Sequence, residues 1–235
     1  MEKKTKSVTI TQFDYVIRNV NDEELDIQGH PNHYTEFDLE GRPLMEIRYS
    51  RSGDFEEKIE YRYDPQGHLI RESYYSEENV LAEEKTFELN DAGRLMRAFQ
   101  HYQDGSVDTI DFEYNALNQL IKKTTTTDEG EIEQVESFEW ENDKIVDLKI
   151  LDGDGEDMGE RYETQIKPNE TRYTYNEKEQ VITEEELDEH GEVYMTVHRT
   201  YNDDSQPDEV EVFIDGRGNA FSRHYFLKYA YSYFE

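Results

Sequence analysis

Apolar and polar residues alternate along this chain in short runs, such as Phe13-Asp14-Tyr15, Tyr61-Arg62-Tyr63 and Tyr229-Ala230-Tyr231-Ser232-Tyr233. Successive side chains of a strand point to opposite faces, so each run predicts a β-strand with one apolar face. No stretch sustains the i, i+3, i+4, i+7 apolar spacing of an amphipathic helix. Residues 60–70 show the basic unit. Tyr61 and Tyr63 share a face, Asp64 can fold its carboxylate onto nearby backbone N–H groups, Gly67 can take positive φ, and Leu69-Ile70 start the return strand.

The unit repeats. Anchor residues Phe37, Tyr63, Leu89, Tyr114, Trp140, Tyr175 and Tyr201 follow one another at steps of 26, 26, 25, 26, 35 and 26 residues. Asp38, Asp64, Asn90, Asn115, Asn176 and Asn202 stand directly after six of them, and Glu141-Asn142 after the fifth. Asp or Asn at that place predicts an Asx turn, with Gly41, Gly67 and Gly93 supplying positive φ. Half a period later come second turns, each a candidate for a hairpin with φ > 0: Ser52-Gly53, Glu78-Asn79, Asp104-Gly105, Glu129-Gly130, Gly153-Asp154-Gly155, His190-Gly191 and Gly216-Arg217-Gly218-Asn219. Residues 1–32 read as N-terminal strands capping the array, 33–220 as seven hairpin repeats of ~26 residues, and 221–235 as an aromatic C-terminal capping strand. The 35-residue step places an insertion near residues 159–171, marked by Pro168-Asn169.

Composition changes the picture in one respect. Leu, Ile, Val and Phe make up only about a fifth of the chain, near the border below which highly charged chains stay unfolded. The 18 Tyr offset this, since their rings bury large area while the hydroxyl stays wet. The fold class expected is therefore all-β: a long antiparallel meander of hairpin repeats forming an open, twisted or curled single-layer sheet with a thin aromatic core.

The motif Tyr61-Arg62-Tyr63-Asp64-Pro65-Gln66-Gly67-His68-Leu69 resembles the YD repeat of the Rhs family. Phe87-Glu88-Leu89-Asn90-Asp91-Ala92-Gly93-Arg94-Leu95 and Thr35-Glu36-Phe37-Asp38-Leu39-Glu40-Gly41-Arg42 carry the same pattern. The likeness covers residues 33–220, with departures: Asn118 and Glu179 replace the glycine, the fifth unit is shorter, and Pro207 stands near the seventh turn. In that family such units form a sheet that spirals around a cargo. The resemblance implies the architecture and carries no activity.

Charge narrows the function. The 57 acidic residues against 25 basic ones give a net charge of −32, which repels nucleic acid and anionic lipid and favours cations or a basic protein. Adjacent acids such as Glu83-Glu84 and Glu184-Glu185-Glu186 suggest like charges crowded on strand faces, with raised carboxyl pKa values and greater stability near pH 5 than at pH 8. With no cysteine there is no disulfide or thiolate chemistry. The first residues lack an apolar signal region and no window is apolar enough to span a membrane, so the expectation is a cytoplasmic protein.

Candidate chemistry is sparse. Asp152, Asp154, Glu156 and Glu163 match part of a calcium loop, but Asp157 stands where that loop needs glycine and the segment also reads as a hairpin turn. His30 and His33, with Glu36 nearby, could ligate a metal or simply occupy a loop. Tyr229 and Tyr231 could stack sugars or serve as core. No nucleophile elbow, phosphate loop or dinucleotide motif is present. No catalytic residue, cofactor site or enzyme activity is expected. The function expected is a non-enzymatic scaffold binding another, basic protein, as a chaperone or immunity-like partner of a bacterial effector. The alternative is a surface or secreted array that binds carbohydrate or cations.

Overall fold

A computed structural model describes residues 3–19, 24–141, 143–158, 170–188, 190–216 and 222–235, with backbone only for 16–19 and 24–25. The described residues hold sixteen strands and no helix. The chain divides into two compact units, residues 1–56 with 167–235, and residues 57–166.

The second unit is a plain meander: β4 (Phe55–Tyr63), whose first two residues fall in the other unit, β5 (Leu69–Glu77), β6 (Val80–Leu89), β7 (Leu95–Tyr102), β8 (Val107–Tyr114), β9 (Leu120–Thr126), β10 (Ile132–Glu141) and β11 (Lys144–Asp152), each antiparallel to the next. The first unit holds β1 (Thr5–Asn19), β2 (Glu24–Phe37), β3 (Pro43–Tyr49), β12 (Thr171–Tyr175), β13 (Val181–Leu187), β14 (Val193–Tyr201), β15 (Pro207–Ile214) and β16 (Arg223–Tyr233). Its order is β3-β2-β1-β16-β15-β14-β13-β12. In neither unit does the first strand of the order pair with the last, so neither sheet closes. Described strands touch only their ladder neighbours, as in a single layer.

The two ends of the chain do not cap the array. β1 pairs with β2 on one side and β16 on the other, and β16 also pairs with β15. The aromatic content of the C-terminal strand is central-strand content. Phe226 stacks on Phe13 across the β1–β16 ladder, ring centroids 4.9 Å apart and planes within 5°. An edge strand so aromatic would be an aggregation hazard.

The core is thin. In the first unit Val197, Val210 and Val212 are buried, with Met195, Ile214, Tyr225, Leu227 and Tyr229 packed against them. The register explains the grouping: Val197 faces Val212, Val212 faces Tyr225 and Val210 faces Leu227, all on one face. In the second unit Ala98 and Ile150 are the buried apolar side chains among the described residues.

Eleven described turns share one geometry. Their first residues are Asp38, Ser50, Asp64, Asn90, Tyr102, Asn115, Thr127, Asp152, Asn176, Asp188 and Asn202. The first N–H bonds to the carbonyl four residues on at 2.7–3.0 Å, and the fourth N–H bonds back to the first carbonyl at 2.8–3.1 Å. The fourth residue has φ between +60° and +93°; it is Gly in eight turns and Asn118, Glu179 or Ser205 in the other three. This is the three-residue hairpin loop with a bulge, and the ladder register shifts just before all seven anchors, Phe37, Tyr63, Leu89, Tyr114, Trp140, Tyr175 and Tyr201. Glu78-Asn79 differs from expectation. It is a two-residue loop between the paired Glu77 and Val80, with neither residue in the left-handed region.

Candidate interaction surface

In a meander, successive hairpins alternate between two rims. One rim of the second unit carries the turns that follow the anchors. There Asp64 Oδ1 accepts the N–H groups of Gln66 and His68 at 2.9 and 2.8 Å, and Asn90 and Asn115 do the same in their turns. The turns also touch one another. Arg94 lies 5.0 Å over the Tyr114 ring, and Gln119 donates to Asp143 at 2.9 Å. In the first unit Asp38 and Asn176 each accept two backbone N–H groups in the same way, and Asn202 Oδ1 accepts the N–H of Gln206. All six Asp and Asn residues placed after anchors on the sequence pattern thus act as turn acceptors.

On the strand faces of the second unit several acids meet cations, Glu60 along its own strand and others across the ladders. Lys58 meets Glu60 at 2.8 Å, Arg97 meets Asp111 at 2.8 Å, Lys122 meets Glu113 at 3.1 Å and Lys123 meets Glu136 at 2.5 Å. Acids adjacent in sequence part to opposite faces. Glu84 accepts Ser73 Oγ at 3.1 Å and faces Arg71 at 3.4 Å, whereas Glu83 accepts Gln100 Nε2 at 2.8 Å on the other side. In the first unit Glu184 meets Arg199 and Glu186 accepts the Tyr194 hydroxyl.

At these strand positions the crowding expected from sequence is not seen, and the carboxyl shifts that are resolved, all in turns except that of Glu60, run downward. Lys58 holds Glu60 below its usual range. Desolvation pushes Asp38 and Asp64 up, but the backbone N–H and side chain of Arg42 and of His68 outweigh it and leave both carboxyls lowered. Asp104 is lowered by the hydroxyl and N–H of Ser106.

The opposite rim of the second unit is different. It is made by the β5–β6, β7–β8 and β9–β10 loops and the segment after β11, residues 77–80, 102–107, 127–133 and 152–158. These hold eleven acidic side chains (Glu77, Glu78, Asp104, Asp128, Glu129, Glu131, Glu133, Asp152, Asp154, Glu156 and Asp157) and not one Lys or Arg. All but Asp152 are exposed. The sequence carried this signal in the four segments, which only strand alternation brings to one rim.

Among the described residues no three metal-ligating side chains come together. Asp152 Oδ1 accepts the N–H groups of Asp154 and Glu156 at 3.0 and 2.8 Å, and Glu163 lies outside the described residues. His30 Nε2 donates to Asp14 at 2.7 Å, while His33 Nε2 meets Thr35 Oγ1 at 2.9 Å. Tyr229 and Tyr231 stack at 6.5 Å, and the Tyr231 hydroxyl donates to the Pro207 carbonyl at 2.8 Å. The proposed insertion, residues 159–171, lies outside the described residues except for 170 and 171, and so does the turn from Arg217 to Asn219.

No protein-family model matches this chain, and no curated protein does. Among solved structures it is similar to a porin-like protein from Bacteroides uniformis, at 11% identity and a TM-score of 0.41, covering 97% of this chain and 98% of that one. It is also similar to chains in the TcdB2-TccC3-Cdc42 structure (12% identity, TM-score 0.40) and in the Photorhabdus luminescens Tc holotoxin pore (13%, 0.39). Each of these alignments covers 93% of this chain and 12% of the larger one. Tc toxin components are thus among its structural neighbours, at scores that carry no argument about function.

Proposed function

We propose that this chain is a non-enzymatic repeat scaffold that binds a basic protein through the acidic rim of its second unit. In its concrete form it acts as a chaperone or immunity-like partner of a basic bacterial effector. The observation that supports this is the segregation of charge: cations pair with acids on the strand faces, while the rim keeps eleven acids and no cation. A one-sign patch of this kind raises association rates by roughly 10- to 1,000-fold and loses that advantage in salt.

A lysine-rich peptide tests the reading by calorimetric titration. At low salt the parent protein binds it, and affinity falls at least about tenfold in 0.5 M NaCl. The triple variant Asp128→Lys/Glu129→Lys/Glu131→Lys, all exposed rim positions, lowers affinity far more than a matched triple at exposed turn positions elsewhere, Asp91→Lys/Glu177→Lys/Asp203→Lys. Equal losses in the two triples would mean that net charge alone, and no particular surface, attracts the peptide.

A further inference from the structure

The first unit contains a cavity of about 370 Å³ where β1, β16 and the end of β3 meet, and its chemistry opposes the charge of the chain as a whole. Its floor is polar, partly buried and fixed. Gln12, only 8% exposed, donates Nε2–H to the two Asp14 oxygens at 3.0 and 3.3 Å and accepts Asn32 Nδ2–H at 3.1 Å. His30, its side chain 10% exposed, donates to Asp14 Oδ2 at 2.7 Å. Two donors therefore engage the one carboxylate in the floor. The Gln12 amide is oriented by its partners at both ends.

The mouth is cationic. Arg51, in the turn after β3, and Arg223, the first residue of β16, line the cavity and are exposed. Most other arginines among the described residues are engaged: Arg42, Arg71, Arg97, Arg172 and Arg199 each meet a carboxylate and Arg94 lies over a ring, while Arg62 on β4 makes no such contact and does not line the cavity. Arg51 and Arg223 do neither among the described residues. A guanidinium presents a planar fork of donors that matches phosphate or carboxylate oxygens, often in pairs. Acids beside the lining residues are engaged by other groups, Glu211 by His224 at 2.7 Å, Asp215 by Ser222 at 3.4 Å and Asp54 by Ser52 at 2.6 Å, and at physiological salt the field of more distant ones decays over about 8 Å.

We propose that this cavity binds a small organic anion, its phosphate or carboxylate group held by Arg51 and Arg223 above the Gln12–Asp14 floor that His30 backs. The volume falls in the range of small-molecule sites, and Tyr49 and Tyr225 line it for the rest of the ligand. This inference is independent of the acidic rim, which belongs to the other unit.

The probes are inorganic phosphate and citrate, each titrated at constant ionic strength of about 0.15 M and followed by ¹H–¹⁵N correlation spectra. The expected result is saturable binding of at least one probe, with shifts concentrated at Gln12, Asn32, Arg51 and Arg223. Phosphate alone binding assigns a phosphorylated ligand, citrate alone a polycarboxylate, and both a site that reads the anion only. Arg51→Gln/Arg223→Gln weakens binding at least about tenfold, whereas Arg62→Gln, a matched change on β4, leaves it unchanged. Far-UV circular dichroism matching the parent separates this loss from unfolding. No saturation by either probe up to about 20 mM, or unchanged affinity in the double variant, overturns the proposal.

Discussion

Asp38 and Asp64 each hold two turn N–H groups with one carboxylate oxygen and a neighbouring cationic or imidazole side chain with the other. These bonds favour the ionised form, so their folded pKa values, like those of Glu60 and Asp104, lie below the unfolded values of about 4. The folded state then binds fewer protons than the unfolded chain, and the stabilisation is complete above the unfolded pKa and lost as pH falls through the folded values. Melting temperature should be nearly flat between about pH 5 and 8 as far as these groups are concerned, and should fall steeply below about pH 4. Melts across that range check it; a protein more stable at pH 3.5 than at pH 6 would contradict the assignment. The Asx residues were legible from the sequence because a side-chain acceptor after a strand has one local use. The pKa direction was not. Adjacent letters such as Glu83-Glu84 look crowded, yet the pleat sends them to opposite faces, where each finds a donor.

At the scale of the strand, three anchor-type aromatics tie one hairpin to the previous one through their polar tips. Trp140 Nε1–H donates to Leu120 O at 2.7 Å, Tyr201 OH to Val181 O at 2.7 Å and Tyr231 OH to Pro207 O at 2.8 Å. Each ring packs on the sheet while its tip caps a backbone carbonyl of a neighbouring hairpin. Tyr201→Phe removes only the hydroxyl and should cost about 1 kcal/mol. Because strands touch only ladder neighbours, the loss should appear in hydrogen exchange at β13 and β14 and fade with distance along the ladder. An even loss of protection over β4–β11 would show long-range cooperativity that nearest-neighbour contacts do not supply. The period of the hairpins was readable because anchor, turn and return strand are all local. The pairing of β1 with β16 was not, because alternation gives a strand its two faces but never its partner, and these two are joined by more than two hundred residues of chain.

For the molecule as a whole, the arrangement of charge matters more than its sum. Cross-strand pairs such as Lys123–Glu136 put cations beside acids on the faces, which leaves much of the −32 excess in turns. The cavity at Arg51 and Arg223 could not have been found in the sequence, since four separate segments assemble it. The rim could have been, by grouping alternate turns and noting that none contains a cation. Asp104 and Asp152 accept N–H groups of their own turns, but the acids of the β9–β10 loop do not build theirs. In the β9–β10 loop the closing bonds are backbone ones from Thr127 and Gly130, and Glu131 contributes through its main chain. Asp128, Glu129 and Glu131 make no ion pair among the described residues and sit within one exposed loop. Like charges so close destabilise by a few tenths of a kcal/mol per pair, about 1 kcal/mol in total. Asp128→Lys/Glu129→Lys/Glu131→Lys should therefore raise the melting temperature by about 2–4 °C at low salt, and the gain should shrink in 0.5 M NaCl as repulsion is screened. The same substitutions that weaken capture of a basic peptide would then make the protein more stable, the signature of a surface kept acidic for a partner. Calorimetric melts of parent and variant at both salt concentrations decide it. A variant that melts lower at low salt would show that these acids hold the loop together, and the rim would lose its claim to be an interaction surface.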